Sequence, residues 1–148
     1  MRQVVGKYPF YYGSFPQTYA GDKDPLDFIM FTDIKHECLD VVKVDVIGAV
    51  RTIDAGEQDD KIICVESSSK LKNVSKQMKK AMKFLKKYKG KKADMKIAKK
   101  LASMAEAEIM VADAHKAWEE HVTTVKVSKQ QAATAATKRS NRVRVVRR

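Results

Sequence analysis

The chain has 148 residues, a length that fits one domain. Apolar residues make up 44% of it and charged residues 32%, a balance that favours a folded globular protein over a disordered one. No apolar run approaches the roughly 20 residues of a membrane-spanning helix. Two cysteines cannot build a disulfide framework. We therefore expect a soluble protein of a reducing compartment, the cytoplasm, with no membrane partner.

The net charge of +12 is unevenly distributed along the chain. Residues 1–65 carry a net −4, residues 66–100 carry +12, and residues 101–124 carry −4 again. Residues 125–148 contain eight positive charges and no negative one. Charge that served solubility alone would be mixed, so this segregation indicates surfaces that bind anions.

The front half of the chain is predicted to form strands. Leu26–Phe31 is a short apolar run, and Val41–Ile53 is rich in β-branched residues, with Gly48 as a predicted bulge or close-approach position. Residues 54–60 have the composition of a turn, and Lys61–Glu66 forms a strand that returns from it.

The pattern then changes to helical spacing. Apolar residues three and four apart predict a helix from Val74 to Tyr88 that ends at Gly90 and carries lysines on its outer face. A second helix is predicted from about Asp94 to His121, with a break near Ser103. Its candidate inward positions are Ile97, Leu101, Met104, Ile109, Ala112 and Trp118.

Two groups of carboxylates lie at the ends of predicted strands. Asp22, Asp24 and Asp27 fall within six residues, and the later turn holds Asp54, Glu57, Asp59 and Asp60. Carboxylates that converge repel one another unless cations lie between them, and hard oxygen ligands select Mg²⁺, Mn²⁺ or Ca²⁺. From spacing alone, solvated turn residues explain both groups equally well.

The motifs resemble those of the soluble family I inorganic pyrophosphatases. Residues 8–18, from Tyr8 to Thr18, followed by Gly21–Asp27, look like that family's Y-G-x-x-P-x-T stretch and D-x-D-P-x-D signature. Val44–Lys61 looks like its strand–turn–strand with a D-E-G-E-x-D-x-K motif. Phe84–Lys89 looks like the helix that ends in Tyr-Lys, and Ala105–His121 like the closing helix.

The resemblance implies an α+β fold, a small OB-like β-barrel flanked by two C-terminal helices. It implies Mg²⁺-dependent hydrolysis of pyrophosphate, with Mn²⁺ as a second metal. Asp22, Asp27 and Asp59 would hold the first metal, and Asp54 would help to hold one that arrives with the substrate. Asp24 would be the general base. The residues expected to contact phosphate oxygens are Tyr12, Lys61, Tyr88 and Lys89.

Two departures from the family pattern bear on activity. Ala55 stands where the family has a Glu. Family members also have several tens of residues before the Tyr-Pro motif, which supply barrel strands and two Glu, a Lys and an Arg of the site. Here seven residues precede Tyr8, and Arg2 is the one candidate for that Arg. We therefore expect an incomplete barrel whose exposed edge is covered by a partner chain, by a second copy or by the segment Met1–Lys7.

The basic segments favour polyanion binding. The helix lysines lack the acidic neighbours of an ordinary exposed helix. We interpret residues 125–148 as a basic tail appended to a pyrophosphatase-like domain, residues 1–124. The tail has no aromatic residues to stack on bases, so it would bind nucleic acid without sequence preference, or an acidic protein surface. Its candidate binding residues are Lys138, Arg139, Arg142, Arg144, Arg147 and Arg148.

Two hypotheses follow from the sequence. In the first, the chain is an active inorganic pyrophosphatase, because the retained aspartates, lysines and tyrosine have no obvious use otherwise. In the second, it is a catalytically degenerate subunit that its basic helix face and tail hold on nucleic acid or within a large assembly.

Overall fold

The structure is a computed structural model that describes residues 8–89 and 96–142, with only the backbone described for residues 88, 89 and 133–142. The elements in chain order are β1 (Tyr11–Ser14), β2 (Asp27–Phe31), β3 (Val44–Val50), β4 (Thr52–Asp54), β5 (Glu57–Gln58), β6 (Lys61–Glu66), α1 (Val74–Lys89), β7 (Lys96–Ile97) and α2 (Met104–Arg142). They confirm the predicted α+β class. Within the described residues the strands form two sheets and do not close into a barrel, as expected for an incomplete one.

The larger sheet has four strands in the order β1-β2-β6-β3. β1 is antiparallel to β2, β2 is parallel to β6, and β6 is antiparallel to β3. Because parallel strands begin at the same end of a sheet, the first residues of β2 and β6, Asp27 and Lys61, lie opposite each other in register. The smaller sheet has the order β5-β4-β7.

The strand predictions are confirmed, with one division and one addition, since the short strand β5 lies within the predicted turn 54–60. The predicted strand Val41–Ile53 is two strands, β3 and β4, separated at Arg51. The pairing of β3 with β6 shifts register between Val46 and Gly48, which is the predicted bulge. A Cβ atom at Gly48 would lie 2.9 Å from the carbonyl oxygen of Ala102, so the glycine also permits the predicted close approach.

The four-stranded sheet lies between the two helices. Successive side chains of a strand face opposite sides, so Ile63 of β6 packs with Leu85 of α1, whereas Ile62 and Cys64 pack with Ala107 of α2. The α1 side of the core contains Ile29, Phe31, Val50, Ile63, Ala81 and Leu85. The α2 side contains Leu26, Ala49, Ile62, Cys64, Ala102, Ala107 and Ala114.

The predicted start of the second helix is wrong. Lys96–Ile97 is a strand that pairs with β4, and α2 begins only at Met104. Ser103 forms a capping box there, since its hydroxyl accepts a hydrogen bond from the Glu106 N–H at 3.3 Å and the Glu106 carboxylate accepts one from the Ser103 N–H at 2.8 Å. Asp94 lies outside the described residues.

The predicted inward face of α2 is wrong in part. Met104 and Ile109 are 54% and 60% exposed, and Ala112 is exposed too. Ala107 and Ala114 are buried instead, because their small side chains let the helix approach the sheet closely. Ile97 and Leu101 do pack inward, on the α1 side of the sheet, and Trp118 is half-buried.

The last helix continues to Arg142 without a break at Thr124. The predicted boundary between domain and tail therefore falls inside a helix, and the division itself remains a prediction. From Glu119 to Ala132 the side chains are exposed except that of Val122, which is half-buried. Neither described helix has an apolar stretch that could cross a lipid bilayer.

Candidate active site

A buried lysine joins two aspartates at the end of the sheet where β2 and β6 begin. The Lys61 side chain is 5% exposed, and its Nζ lies 2.8 Å from Oδ1 of Asp59 and 3.1 Å from Oδ2 of Asp27. Asp27 is placed there by its register opposite Lys61, and Asp59 by its position two residues earlier in the same chain segment. Two carboxylates thus converge on one cation.

A tyrosine from the edge strand completes this cluster. Tyr12 of β1 donates a hydrogen bond from its hydroxyl to Oδ2 of Asp27, and Nζ of Lys61 lies 5.5 Å from the centre of its ring. Burial raises the pKa of the Tyr12 hydroxyl well above its ordinary value, so it stays protonated and donates at neutral pH. Burial alone would lower the pKa of Lys61, but Tyr12, Asp59 and Asp27 together raise it above its ordinary value. The lysine therefore keeps its charge.

The loop before β2 carries the first two aspartates of the acidic motif. Its backbone turns through Lys23, which has a φ of +68°, and the N–H of Asp24 donates to Oδ1 of Asp22 at 3.2 Å. Burial raises the pKa of the Asp22 carboxyl, and repulsion from Asp59 and Asp24 adds to this, partly offset by that hydrogen bond. The charges of Asp22 and Asp59 therefore interact. Asp24 is exposed.

The second acidic group lies on a tight hairpin between β4 and β5. Asp54 is paired with Glu57, which leaves Ala55 and Gly56 as a two-residue loop with φ of +53° and +85°. Both residues have positive φ, as a type I′ turn requires, and alanine adopts that conformation less readily than glycine. Asp54, at the end of β4, is half-buried.

The supporting roles of the residues around Asp59 were not predicted from the sequence. The Asp60 carboxylate is buried and accepts hydrogen bonds from the Thr52 N–H at 2.9 Å and from Nε2 of Gln58 at 2.6 Å. The Thr52 hydroxyl donates to the Asp59 carbonyl oxygen. Asp60 is thus committed to holding the hairpin. Strand alternation was the available signal, since it puts Asp59 and Lys61 on one side and Asp60 on the other.

Thr18 is a second residue that supports the site and that was not predicted from the sequence. Its hydroxyl is buried, donates to the Phe15 carbonyl oxygen at 2.7 Å and accepts from the Leu26 N–H at 2.8 Å. It thereby fixes both ends of the loop that carries Asp22 and Asp24. The signal was the threonine that ends the Y-G-x-x-P-x-T stretch.

The structure brings four of the predicted site residues into direct contact, and others have side chains that it does not describe. Those in direct contact are Tyr12, Asp27, Asp59 and Lys61. Tyr88 and Lys89 end α1, and their side chains lie outside the described residues, as do those of the predicted anion-binding residues Lys138, Arg139 and Arg142. Arg144, Arg147 and Arg148 lie outside altogether.

The donor set suits a hard divalent cation that brings its own water. Within the described residues no three acidic, His or Cys side chains gather into a ready metal cluster. The two carboxylates of Asp27 and Asp59 nevertheless point at one cation, the Lys61 ammonium. Mg²⁺ usually binds through one or two carboxylates, several waters and the phosphates of a substrate, so these residues fit it.

Sequence comparisons place the chain beside one enzyme family. Residues 2–119 match the family model described as inorganic pyrophosphatase. The inorganic pyrophosphatase of Dictyostelium discoideum is 37% identical over an alignment of 78 residues, and the match covers 45% of this chain and 28% of the relative. That of Picrophilus torridus is 38% identical over 58 residues, 39% and 33% of the two chains. The chain thus spans about a third of the length of these curated relatives.

Solved structures of inorganic pyrophosphatases share the fold of this chain. The type I inorganic pyrophosphatase of P falciparum matches with a TM-score of 0.75 and 26% identity over 85% of this chain and 50% of that one. The inorganic pyrophosphatase of Thermus thermophilus matches with a TM-score of 0.69 over 80% and 75% of the two chains. The sequence identity of this match is 23%, so the match supports the fold alone.

Proposed function

Since this chain belongs to the inorganic pyrophosphatase family, we propose that it hydrolyses pyrophosphate to two phosphates at the cluster around Lys61. The observation that carries the proposal is the buried ammonium held between Asp27 and Asp59. Carboxylates that already converge on a cation suit a divalent metal, and a lysine beside them suits a phosphate oxygen.

Pyrophosphate is a stable, highly charged anion, so water attacks it only when its charge is neutralised. We infer that Asp22, Asp27 and Asp59 hold an activating Mg²⁺, or Mn²⁺ in its place, and that Asp54 helps to hold one that arrives with the substrate. Bound Mg²⁺ supplies charge neutralisation and acidifies the attacking water. The convergence of Asp27 and Asp59, and the effect of Asp59 on the pKa of Asp22, support this assignment.

The remaining roles belong to the protein's own donors and acceptors. Asp24 accepts the proton of the attacking water at its carboxylate, and its exposure leaves it free to face a bound substrate. Lys61 and Tyr12 donate to phosphate oxygens on which charge accumulates as the bridging bond breaks. Tyr88 and Lys89, at the end of α1, would add further donors.

The experiment is phosphate release from pyrophosphate by the full chain, with Mg²⁺ and with EDTA. We expect Mg²⁺-dependent turnover that Asp24→Asn lowers by about 10²- to 10⁴-fold, the usual contribution of a general base. Asp45→Asn is the matched control, because it makes the same change at an exposed carboxylate on β3. Equal activity in the two variants would refute the role of Asp24, and no turnover from the folded chain would refute the hydrolysis itself.

A second candidate function is a catalytically degenerate subunit of a larger assembly. Lys61 already neutralises Asp27 and Asp59, and α2 continues to Arg142, past the core, with exposed side chains from Thr123 to Ala132. On this account residues 138–148 hold the chain on nucleic acid or an acidic protein surface. Nucleic acid binding would weaken steeply with salt and be lost when residues 138–148 are deleted.

We also propose that the reaction takes place in the cytoplasm. Both cysteines, Cys38 and Cys64, are unpaired, as expected in a reducing compartment.

We further propose that a partner chain or second copy covers the outer edge of β1. β1 ends the four-stranded sheet, and no other described strand pairs with its outer edge. An open strand edge is a ready template for another strand.

A further inference from the structure

A cavity lies between helix α2, the loop before β2 and the β4–β5 hairpin. Its volume is about 350 Å³, which falls within the range of small-molecule sites in proteins. The buried side chains of Leu26 and Ala114 line it, so the cavity reaches the α2 side of the core. Met110 and Ala117, which are half-buried, add further apolar lining. The walls therefore suit an apolar ligand or the apolar part of one.

Two carboxylates also line this cavity. Asp60 is buried, whereas Asp113 is exposed on α2. The Asp60 carboxylate accepts hydrogen bonds from the Thr52 N–H and the Gln58 side-chain amide, which are both neutral donors. Neither aspartate takes part in an ion pair within the described part of the chain. Because a carboxylate accepts up to about four hydrogen bonds, Asp60 keeps both its charge and room for another donor.

No cationic side chain balances the two carboxylates from the cavity wall. Among the described residues that line it, none is Lys, Arg or His. Lys116 is exposed three residues after Asp113 on α2, but it lies outside the lining. His121 is also outside the lining, and its ring stacks on that of Tyr19 at 4.5 Å between centroids. The cavity therefore attracts cations, since a buried carboxylate without a counter-charge is costly.

We propose that this cavity binds an aliphatic diamine, a chain of methylene groups with an ammonium at each end. One ammonium pairs with the buried carboxylate of Asp60, and the other pairs with Asp113 at the solvent end. The methylene chain between them lies against Met110 and Ala117. Such a ligand places its charges and its apolar part where the cavity offers matching groups.

The composition of the cavity favours a diamine over a metal ion. A hard divalent cation requires several oxygen ligands around one point, and it gains nothing from an apolar wall. Three acidic, histidine or cysteine side chains do not gather anywhere in the described ranges, this cavity included. One carboxylate is buried and the other is exposed, so they suit two cationic groups that an apolar chain separates.

The cavity is separate from the Lys61 cluster although it adjoins the same segments. Side chains alternate along a strand, so Asp60 and Asp59 face opposite sides. Gly21, which precedes Asp22, approaches the hairpin closely beside the cavity, since a Cβ atom there would lie 3.2 Å from that of Gln58. The proposal concerns binding alone and does not depend on the proposed hydrolysis.

The test is a titration of the full chain with cadaverine, followed by heteronuclear NMR at neutral pH. We expect saturable binding that shifts the amide signals of Ala114 and Ala117, with a modest affinity because the ligand has few atoms. Pentylamine, which has one ammonium, should bind several-fold more weakly, because an exposed ion pair contributes little. Pentanediol has a similar length and no charge, and it should not bind detectably.

The variants separate the two carboxylates. Asp60→Asn keeps the shape of the side chain and should raise the dissociation constant by at least about tenfold, in low and in high salt. Asp113→Asn should raise it several-fold in low salt only, because salt screens an exposed charge. Ala117→Leu fills the cavity without changing its charge and should abolish binding. The matched control is Asp45→Asn, which neutralises an exposed carboxylate on β3 and should bind like the unmodified chain.

Four results would each overturn the proposal: no binding at millimolar cadaverine, binding of pentanediol as strong as that of cadaverine, an unchanged affinity in Asp60→Asn, or an equal loss in Asp45→Asn. Circular dichroism melts identify any variant that does not fold. If Asp60→Asn is one of them, Ala117→Leu takes its place, and undiminished binding by that variant overturns the proposal.

Discussion

At the scale of single residues, the site depends on the charge of Lys61. Its ammonium is buried between Asp27 and Asp59, and the two carboxylates would repel each other without it. We expect Lys61→Met to lower the free energy of unfolding by about 3 kcal/mol, the lower end for a broken buried ion pair, because both carboxylates retain some contact with solvent.

The same variant tests whether the carboxylates bind metal. With Lys61 gone, a divalent cation is the remaining way to neutralise Asp27 and Asp59, so Mg²⁺ should stabilise the variant more than the unmodified chain. Urea denaturation with Mg²⁺ and with EDTA measures both effects. An unchanged unfolding free energy, or one that Mg²⁺ does not raise, would show that the three side chains are not coupled as described.

At the scale of elements, a second polar cluster joins the loop after β2 to the end of β6. The Glu66 carboxylate accepts hydrogen bonds from the Thr32 hydroxyl at 2.6 Å, from Nε2 of His36 at 2.8 Å and from the Ser68 hydroxyl at 3.0 Å. On its other side, Nδ1 of His36 lies 3.4 Å from Oδ2 of Asp40. This cluster lies at the opposite end of the sheet from Lys61.

The cluster should make stability depend on pH. The hydrogen bond to Glu66 raises the pKa of His36, opposed by burial, and the hydrogen bonds from Thr32 and His36 lower the pKa of Glu66. The histidine's contribution is complete below its unfolded pKa and is lost as the pH rises through its raised folded value. The glutamate's contribution is lost as the pH falls through its lowered folded value.

His36→Gln keeps a hydrogen-bond donor but removes the titrating charge. We expect the variant to be less stable than the unmodified chain near pH 6 and closer to it near pH 9, as measured by urea denaturation at the two pH values. His115→Gln, on the exposed side of α2, is the control. A stability difference that does not change with pH would contradict the pairing of His36 with Glu66.

The elements predicted correctly are those with a strong local pattern. β6 and α1 match their predictions closely, because Lys61–Glu66 is continuously apolar apart from its ends and Val74–Tyr88 keeps one apolar stripe. β7 could not be predicted from local pattern, since Lys96–Ile97 becomes a strand only by pairing with β4.

The inward face of α2 and the contacts of the site show two further limits. Alanines carry a weak hydrophobic signal, so the sequence favoured Ile109 over Ala107 as a core residue, whereas close packing on the sheet favours the smaller side chain. The resemblance to the pyrophosphatase family implied that Asp27 and Asp59 act together. That Lys61 lies between them follows from the parallel register of β2 and β6, which no single segment of the sequence encodes.

At the scale of the whole molecule, α2 packs on the core through its first residues, up to Trp118, and the described side chains that follow do not belong to the core. Ala107 and Ala114 pack on the sheet, and the Tyr19 N–H donates to the Ala114 carbonyl oxygen at 2.9 Å. From Glu119 to Ala132 the side chains of the helix are exposed, except that of Val122. The folded unit should therefore be stable without residues 125–148.

A chain truncated after Thr124 tests this division. We expect its free energy of unfolding to differ from that of the full chain by less than about 1 kcal/mol, because the described side chains of the removed segment, up to Ala132, are exposed. Truncation after Ala112 removes Ala114 and should unfold the protein. Thermal melts of the full chain and of the two truncated chains test this prediction. A large loss of stability in the chain truncated after Thr124 would mean that the later part of α2 belongs to the domain.

The central claim is that the cluster of Asp27, Asp59, Lys61 and Tyr12 binds and hydrolyses pyrophosphate. Phosphorus NMR of pyrophosphate mixed with the full chain tests it most directly, since it reports binding and conversion in one sample. We predict that with Mg²⁺ the pyrophosphate signal is replaced by that of phosphate, that EDTA prevents this, and that Asp59→Asn slows it strongly. A pyrophosphate signal that keeps its position, width and area in the presence of the folded chain and Mg²⁺ would contradict the claim.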